Sequence, residues 1–122
     1  MSTVHLQQRL QDLHNYIRQG KIIEALNEFY DKECVMQDNA NPATKGLAAN
    51  IEREEQFMRG VKEVKGFDVT AQGAGDNVTF YESTADFITT NGQPMHLEQV
   101  SVATWKNGKI VHERFYYDTG KK

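Results

Sequence analysis

At 122 residues the chain is long enough for one domain with a real core and too short for two, so a single domain over residues 1–122 is expected. Hydrophobic residues at 39% and charged residues at 25% are ordinary for a globular protein, and a formal charge of -3 offers no basic face for nucleic acid. No apolar run approaches the length of a membrane span, and the single cysteine, Cys34, excludes an intrachain disulfide.

The N-terminal stretch "MSTVHLQQRLQDLH" lacks the basic-then-apolar layout of an export signal, so a cytoplasmic location is expected. In "VHLQQRLQDLHNYIRQGK", Leu6, Leu10, Leu13 and Ile17 recur at helical spacing, and Gly20 ends that helix. "KIIEALNEFYD" predicts a second, short helix with Ile22, Ile23, Leu26, Phe29 and Tyr30 on one side. A short strand over residues 34–38 follows, then a loop, "NANPATKG". "LAANIEREEQFMRG" spaces Leu47, Ile51, Phe57 and Met58 for a third helix that stops at Gly60.

From Val61 the helical period gives way to four strand-like runs, "VKGFDVTAQG", "NVTFYESTADFITT", "MHLEQVSVATWK" and "KIVHERFYYD". Gly/Asp/Asn clusters divide them, including Asn107-Gly108, whose two residues tolerate the positive φ of a tight hairpin. The prediction is an α+β domain. Three N-terminal helices pack in the concave face of a strongly curved, mainly antiparallel sheet, a cone-shaped α+β barrel with a pocket.

Strand alternation nominates the pocket lining. Taking Trp105 and Phe115 as inward rings, one strand presents Leu97, Gln99, Ser101, Ala103 and Trp105, and the last presents Val111, Glu113, Phe115 and Tyr117. In the second long run, Tyr81 and Phe87 compete with Phe80 and Ile88, so periodicity does not fix its phase.

The order of elements, "FYDKECVMQD" entering the first strand and "WKNGKIVHERFYYD" closing the sheet resemble the nuclear transport factor 2-like superfamily over essentially the whole chain. The closing pattern resembles its SnoaL-like and limonene epoxide hydrolase branch. The resemblance implies that Phe80, Glu82, Thr84, Asp86 and Ile88 face the pocket. It also places Asp38, in "VMQDN", where ketosteroid isomerases carry their general-base aspartate. The isomerase oxyanion donors are not reproduced: Ser101 stands at the strand position, and Leu13 near the helix position, with Tyr16 one turn on. Of the epoxide hydrolase Asp-Arg-Asp set, Asp86 matches the first Asp, but Thr84 and Phe115 replace the others, and Met36 and Asp38 stand for the water-holding Tyr and Asn.

Asp38 as base and Asp86 as acid or second base are therefore the candidate catalytic pair, needing no cofactor or metal. Tyr16, Met36, Phe57, Gln99, Ser101, Trp105, Glu113, Phe115 and Tyr117 are candidate contacts to a small apolar substrate. Other roles stand beside these. Asp38 suits loop initiation, Glu113 an ion pair with Arg53 or Lys106, and the rings simple core packing. His96 and Glu98 share a strand face that His112 could approach, which suggests an interface contact more than a metal site. Val100, Val102, Thr104 and Tyr116 on the outer face predict a homodimer. Two functions remain open: a proton-transfer isomerase, cyclase or dehydratase, and a non-catalytic ligand-binding or dimerisation module.

Overall fold

The computed structural model describes residues 2–119. Its elements are α1 (Thr3–Arg18), α2 (Ile22–Phe29), β1 (Tyr30–Asp38), β2 (Thr44–Lys45), α3 (Leu47–Arg59), β3 (Val61–Gly75), β4 (Val78–Thr89), β5 (Pro94–Lys106) and β6 (Lys109–Tyr117). The strands form one six-stranded sheet in the order β2-β1-β6-β5-β4-β3. β1 runs parallel to β6 and every other neighbouring pair is antiparallel. The three helices and the expected meander are present, but the sheet stays open, with β2 and β3 as its edges.

Local chemistry accounts for most boundaries. The Ser2 hydroxyl accepts from the His5 amide at 3.1 Å and caps α1, and Gly20 leaves that helix at φ 77°. Asn107 and Gly108 take φ of 52° and 80°, the geometry of a two-residue primed turn, and Asp76 and Asn77 repeat it between β3 and β4.

Two boundaries differ from expectation. Tyr30 lies four residues after Leu26, a helical spacing, yet it opens β1 opposite Ile110 of β6. Sheet pairing, combined with burial of its ring to 7% exposure, outweighs one more helical turn. Thr44 and Lys45, expected as loop, form β2 against Met36 and Val35. Asn50 of α3 holds that segment, donating from Nδ2 to the carbonyls of Thr44 (3.1 Å) and Gly46 (2.8 Å).

The core lies between α1, α2 and the concave sheet face. Leu6, Leu10 and Leu13 meet Ala25, Leu26, Phe29, Trp105 and Ile110, each contributing about 1.5–3 kcal/mol for the larger side chains. The Trp105 indole donates to the Thr79 hydroxyl at 2.8 Å, so its ring is buried without an orphaned N–H. β5 follows the expected phase, with Ser101, Ala103 and Trp105 buried. On β6 the register shifts opposite Thr104 and Trp105, which turns Ile110 inward in place of Val111. Glu113 is unaffected and is fully buried.

β4 takes the opposite phase to the one the resemblance implied. Thr79, Tyr81 and Ser83 are buried, whereas Phe80 is 51% exposed and Glu82 and Asp86 are exposed. The direct pairing of Tyr81 with Ser101 fixes this, because opposed residues in an antiparallel pair share a face. The Phe80 ring instead covers Gly73 on the outer side, where a Cβ would come within 2.6 Å of it.

Candidate acid–base site on the concave face

The site begins with one carboxylate. Glu113 sits at the middle of β6 on the inward phase, beside Met36 of β1 and Ala103 of β5. It has no exposed surface. The Tyr30 hydroxyl donates to its Oε1 and the Ser101 hydroxyl to its Oε2, so both oxygens are occupied by neutral donors. Neither Arg53 nor Lys106 forms the expected ion pair with it among the described residues. Burial pushes the Glu113 pKa up to about 7, against the pull of the two hydroxyls and the more distant Arg53. The Tyr30 phenol is driven well above its ordinary range by the same burial and by Glu113 itself.

Asp38 lies two residues beyond Met36 on the same face of β1, opposite Phe115. Its Oδ2 takes a 3.0 Å ion pair from Arg53 Nη1, with both side chains about one-third exposed (29% and 32%). Arg53 also points Nη2 at the Met36 sulfur, 3.9 Å away, while its buried Nε has no protein partner. Beside it, Glu54 has a pKa raised first by burial and then by Asp38, with Arg53 opposing. Burial and the Asp38 charge raise Tyr117 as well.

Asn39 fixes the end of β1. At φ 51°, it donates its amide to the Phe115 carbonyl (2.7 Å), accepts from Arg114 Nε at its own carbonyl (2.9 Å), and accepts from the Tyr117 amide at Oδ1 (3.0 Å). Sequence reasoning took this residue for loop punctuation. An asparagine, which tolerates positive φ, placed just after a strand was the available signal.

The rim is apolar and less buried than the interior. Phe57 of α3 is 51% exposed and meets Phe87 edge-on, with ring centroids 5.6 Å apart. Gln99, Phe115 and Tyr117 are half-buried around the same end, where Gln99 pairs with Tyr117. The nominated residues Met36, Asp38, Ser101, Glu113, Phe115, Tyr117 and Gln99 thus share adjoining positions on β1, β6 and β5. Trp105 is in the core at the far end of β5 with Thr79, and Tyr16 packs edge-on to Phe29 at 5.2 Å between α1 and α2.

Asp86 is not among them. It lies on the outer face of β4, where His96 Nδ1 approaches its Oδ1 at 2.6 Å and His96 Nε2 approaches Glu98 at 2.9 Å. These carboxylates raise the His96 pKa, Asp86 more than Glu98. His112 does not approach His96: it faces Thr104, whereas His96 faces Asp86. The residue missed on the buried side is Tyr30, hidden by its helical spacing.

The sequence model of the SnoaL-like domain matches residues 1–117. The chain belongs to the SnoaL-like domain family. No functionally curated protein matches it. Among solved structures, this SnoaL-like domain is similar to a provisionally named SnoaL-like polyketide cyclase from Mesorhizobium loti, at 21% identity and TM-score 0.78 over 96% of this chain and 100% of that one. An NTF2-like protein of unknown function from Burkholderia pseudomallei superposes with TM-score 0.84 at 13% identity, over 98% and 94%. A provisionally named isomerase from Bacillus subtilis gives 0.77 at 20% identity, over 97% and 90%. At these identities the superpositions establish the nuclear transport factor 2-like fold of the SnoaL-like domain, and activity must be argued from its own side chains. No helix among the described residues is long and apolar enough to cross a membrane.

Proposed function

We propose that this SnoaL-like domain is a cofactor-independent proton-transfer catalyst of the isomerase, cyclase or dehydratase type, with Glu113 as the group that takes and returns the proton. The supporting observation is a fully buried carboxylate held by two hydroxyls and by no cation, with a pKa near neutrality. Such a group lowers stability and would be replaced at no loss by an apolar side chain if it served packing alone. Near pH 7 it is present in both protonation states, which suits it to remove a proton next to a carbonyl and deliver it elsewhere on the same substrate. Arg53 supplies a free Nε–H for the oxyanion that develops, while Asp38 orients the guanidinium through its ion pair. The exposed Phe57 and the half-buried Phe87 and Phe115 favour a small apolar substrate. Because Glu113 is sealed from water, the substrate reaches it only when the elements that cover it shift. The cyclase and isomerase names given to the Mesorhizobium and Bacillus proteins support this reaction class.

A second reading, a ligand-binding module without turnover, is favoured by that same sealing and by the engagement of Asp38 with Arg53. Incubation with small β,γ-unsaturated ketones in D2O, followed by proton NMR, separates the two. Catalysis predicts deuterium at the α-carbon, lost by roughly 100-fold or more in Glu113→Gln and unchanged in Asp86→Asn. Line broadening of the ketone without deuterium uptake, equal in both variants, would establish the binding module instead.

The proposal includes a homodimer through the outer sheet face, where Phe80 and Tyr116 are 51% and 43% exposed beside half-buried Val100 and Val102. Light scattering should give twice the monomer mass, reverting to the monomer in Tyr116→Glu.

A further inference from the structure

A separate feature lies on the far side of α1. Its core stripe of Leu6, Leu10 and Leu13 is flanked by the polar residues Gln7, Gln11, His14, Asn15 and Arg18, of which Gln7, Gln11, His14 and Arg18 follow one another at helical-turn spacing. This stripe faces residues 69–73 of the edge strand β3 across a cleft of about 350 Å³, which a smaller one of about 250 Å³ extends through Gln11 and Gln72. The larger volume falls at the small end of the range for ligand sites, on the order of 300–1,000 Å³.

Two details distinguish the cleft from an incidental surface depression. His14 lines it with only 2% of its surface exposed, and its Nε2 is buried with no protein partner. Leaving such an atom unsatisfied costs about 1–3 kcal/mol. Arg18 is the only charged residue in the lining; it holds Asn15 Oδ1 at 3.3 Å and forms no ion pair among the described residues. The remaining polar side chains are the neutral amides of Gln11, Asn15 and Gln72 and the hydroxyl of Thr70, all of which can give and accept hydrogen bonds.

We infer that this cleft binds a small hydroxycarboxylic acid, its carboxylate on Arg18 and its hydroxyl among the side-chain amides above the buried His14 ring. One guanidinium matches one carboxylate, whereas a phosphate dianion would keep an uncompensated charge. A hydroxyl suits these amides, because it can donate or accept as they do. Gln11, Asn15 and Gln72 read the rest of the molecule. The inference does not depend on Glu113 being catalytic, since the cleft shares no residue with that site.

The test is a titration of the full chain with lactate, malate and gluconate, read on the His14 ring and the Gln11, Asn15 and Gln72 side-chain amides by 15N NMR. Acetate, glycerol and inorganic phosphate serve as comparison probes. A hydroxy acid should shift these resonances to saturation and move the His14 titration midpoint upward, because the bound carboxylate offsets the burial and Arg18 charge that hold it down near 4. Acetate and glycerol, each lacking one of the two groups, should bind more weakly. Arg18→Gln, at an exposed position that folding does not need, should weaken binding by roughly tenfold. Equal response of wild type and Arg18→Gln, phosphate binding as tight as the hydroxy acids, or shifts confined to Asp38 and Arg53 would each overturn the assignment.

Discussion

The two faces of the sheet treat the same chemistry in opposite ways. On the concave side, Glu113 is cut off from water and satisfied by two hydroxyls, and burial lifts its pKa to about 7. On the convex side, Asp86 and Glu98 flank a half-exposed His96, where water screens each contact. A carboxylate gains functional interest from its surroundings more than from its place in a motif. Of the two acids that family resemblance nominated, Asp86 is the solvated one, and Glu113, expected to form an ion pair, forms none among the described residues.

Substitutions can break that contrast. The largest effect should come from Tyr81→Ala, which removes a buried ring in contact with His14 at 4.4 Å; a loss of about 3–5 kcal/mol is expected from urea denaturation. Next is the pH dependence attached to Glu113. Its folded pKa is raised from 4.5 to about 7, so between those values the unfolded chain gives up a proton that the folded chain keeps. Folding stability from this group is therefore lost as pH rises through that window, by on the order of 3 kcal/mol. Subtracting the stability profile of Glu113→Gln from that of wild type should reveal this fall.

His14 opposes it. Its pKa is lowered from 6.5 to about 4, so its contribution is lost as pH falls through that interval. The two slopes nearly cancel between pH 4.5 and 6.5, and Glu113→Gln should leave a profile that rises with pH there. A smaller effect, about 1 kcal/mol or less, is expected of Phe80→Ala, which uncovers Gly73 on the outer face. Asp86→Asn should leave the unfolding midpoint unchanged and lower the titration of His96, its main carboxylate partner, as followed by NMR.

Much of the fold was legible because its signals are local. Leucine spacing sets α1, Gly20 its end, and Asn107-Gly108 the last hairpin. One aromatic anchor, Trp105, was enough to phase β5. β4 was not legible because rings occur on both of its faces, and only pairing with Ser101 decides between them. The inward turn of Ile110 depends on a bulge that no residue pattern announces. At the candidate site, Asp38 was found by position. The environment of Glu113 could not be read, because Tyr30 lies 83 residues away in sequence and comes beside it only through the parallel pairing of β1 and β6.

That parallel pairing also governs how the chain can fold. β1 ends at residue 38, yet its partner along the sheet is residues 109–117, the last strand. β1 finds its neighbour only after the whole meander has assembled, so the closing contact bridges most of the chain and carries a large loop-closure entropy. Until residues 109–117 are in place, β1 has only the two-residue β2 to pair with, although α1 already has β3 and β4 to dock against. Glu113 is thus enclosed only where distant parts of the chain meet, because its cover comes from Tyr30 and Met36 of β1 and Ser101 of β5.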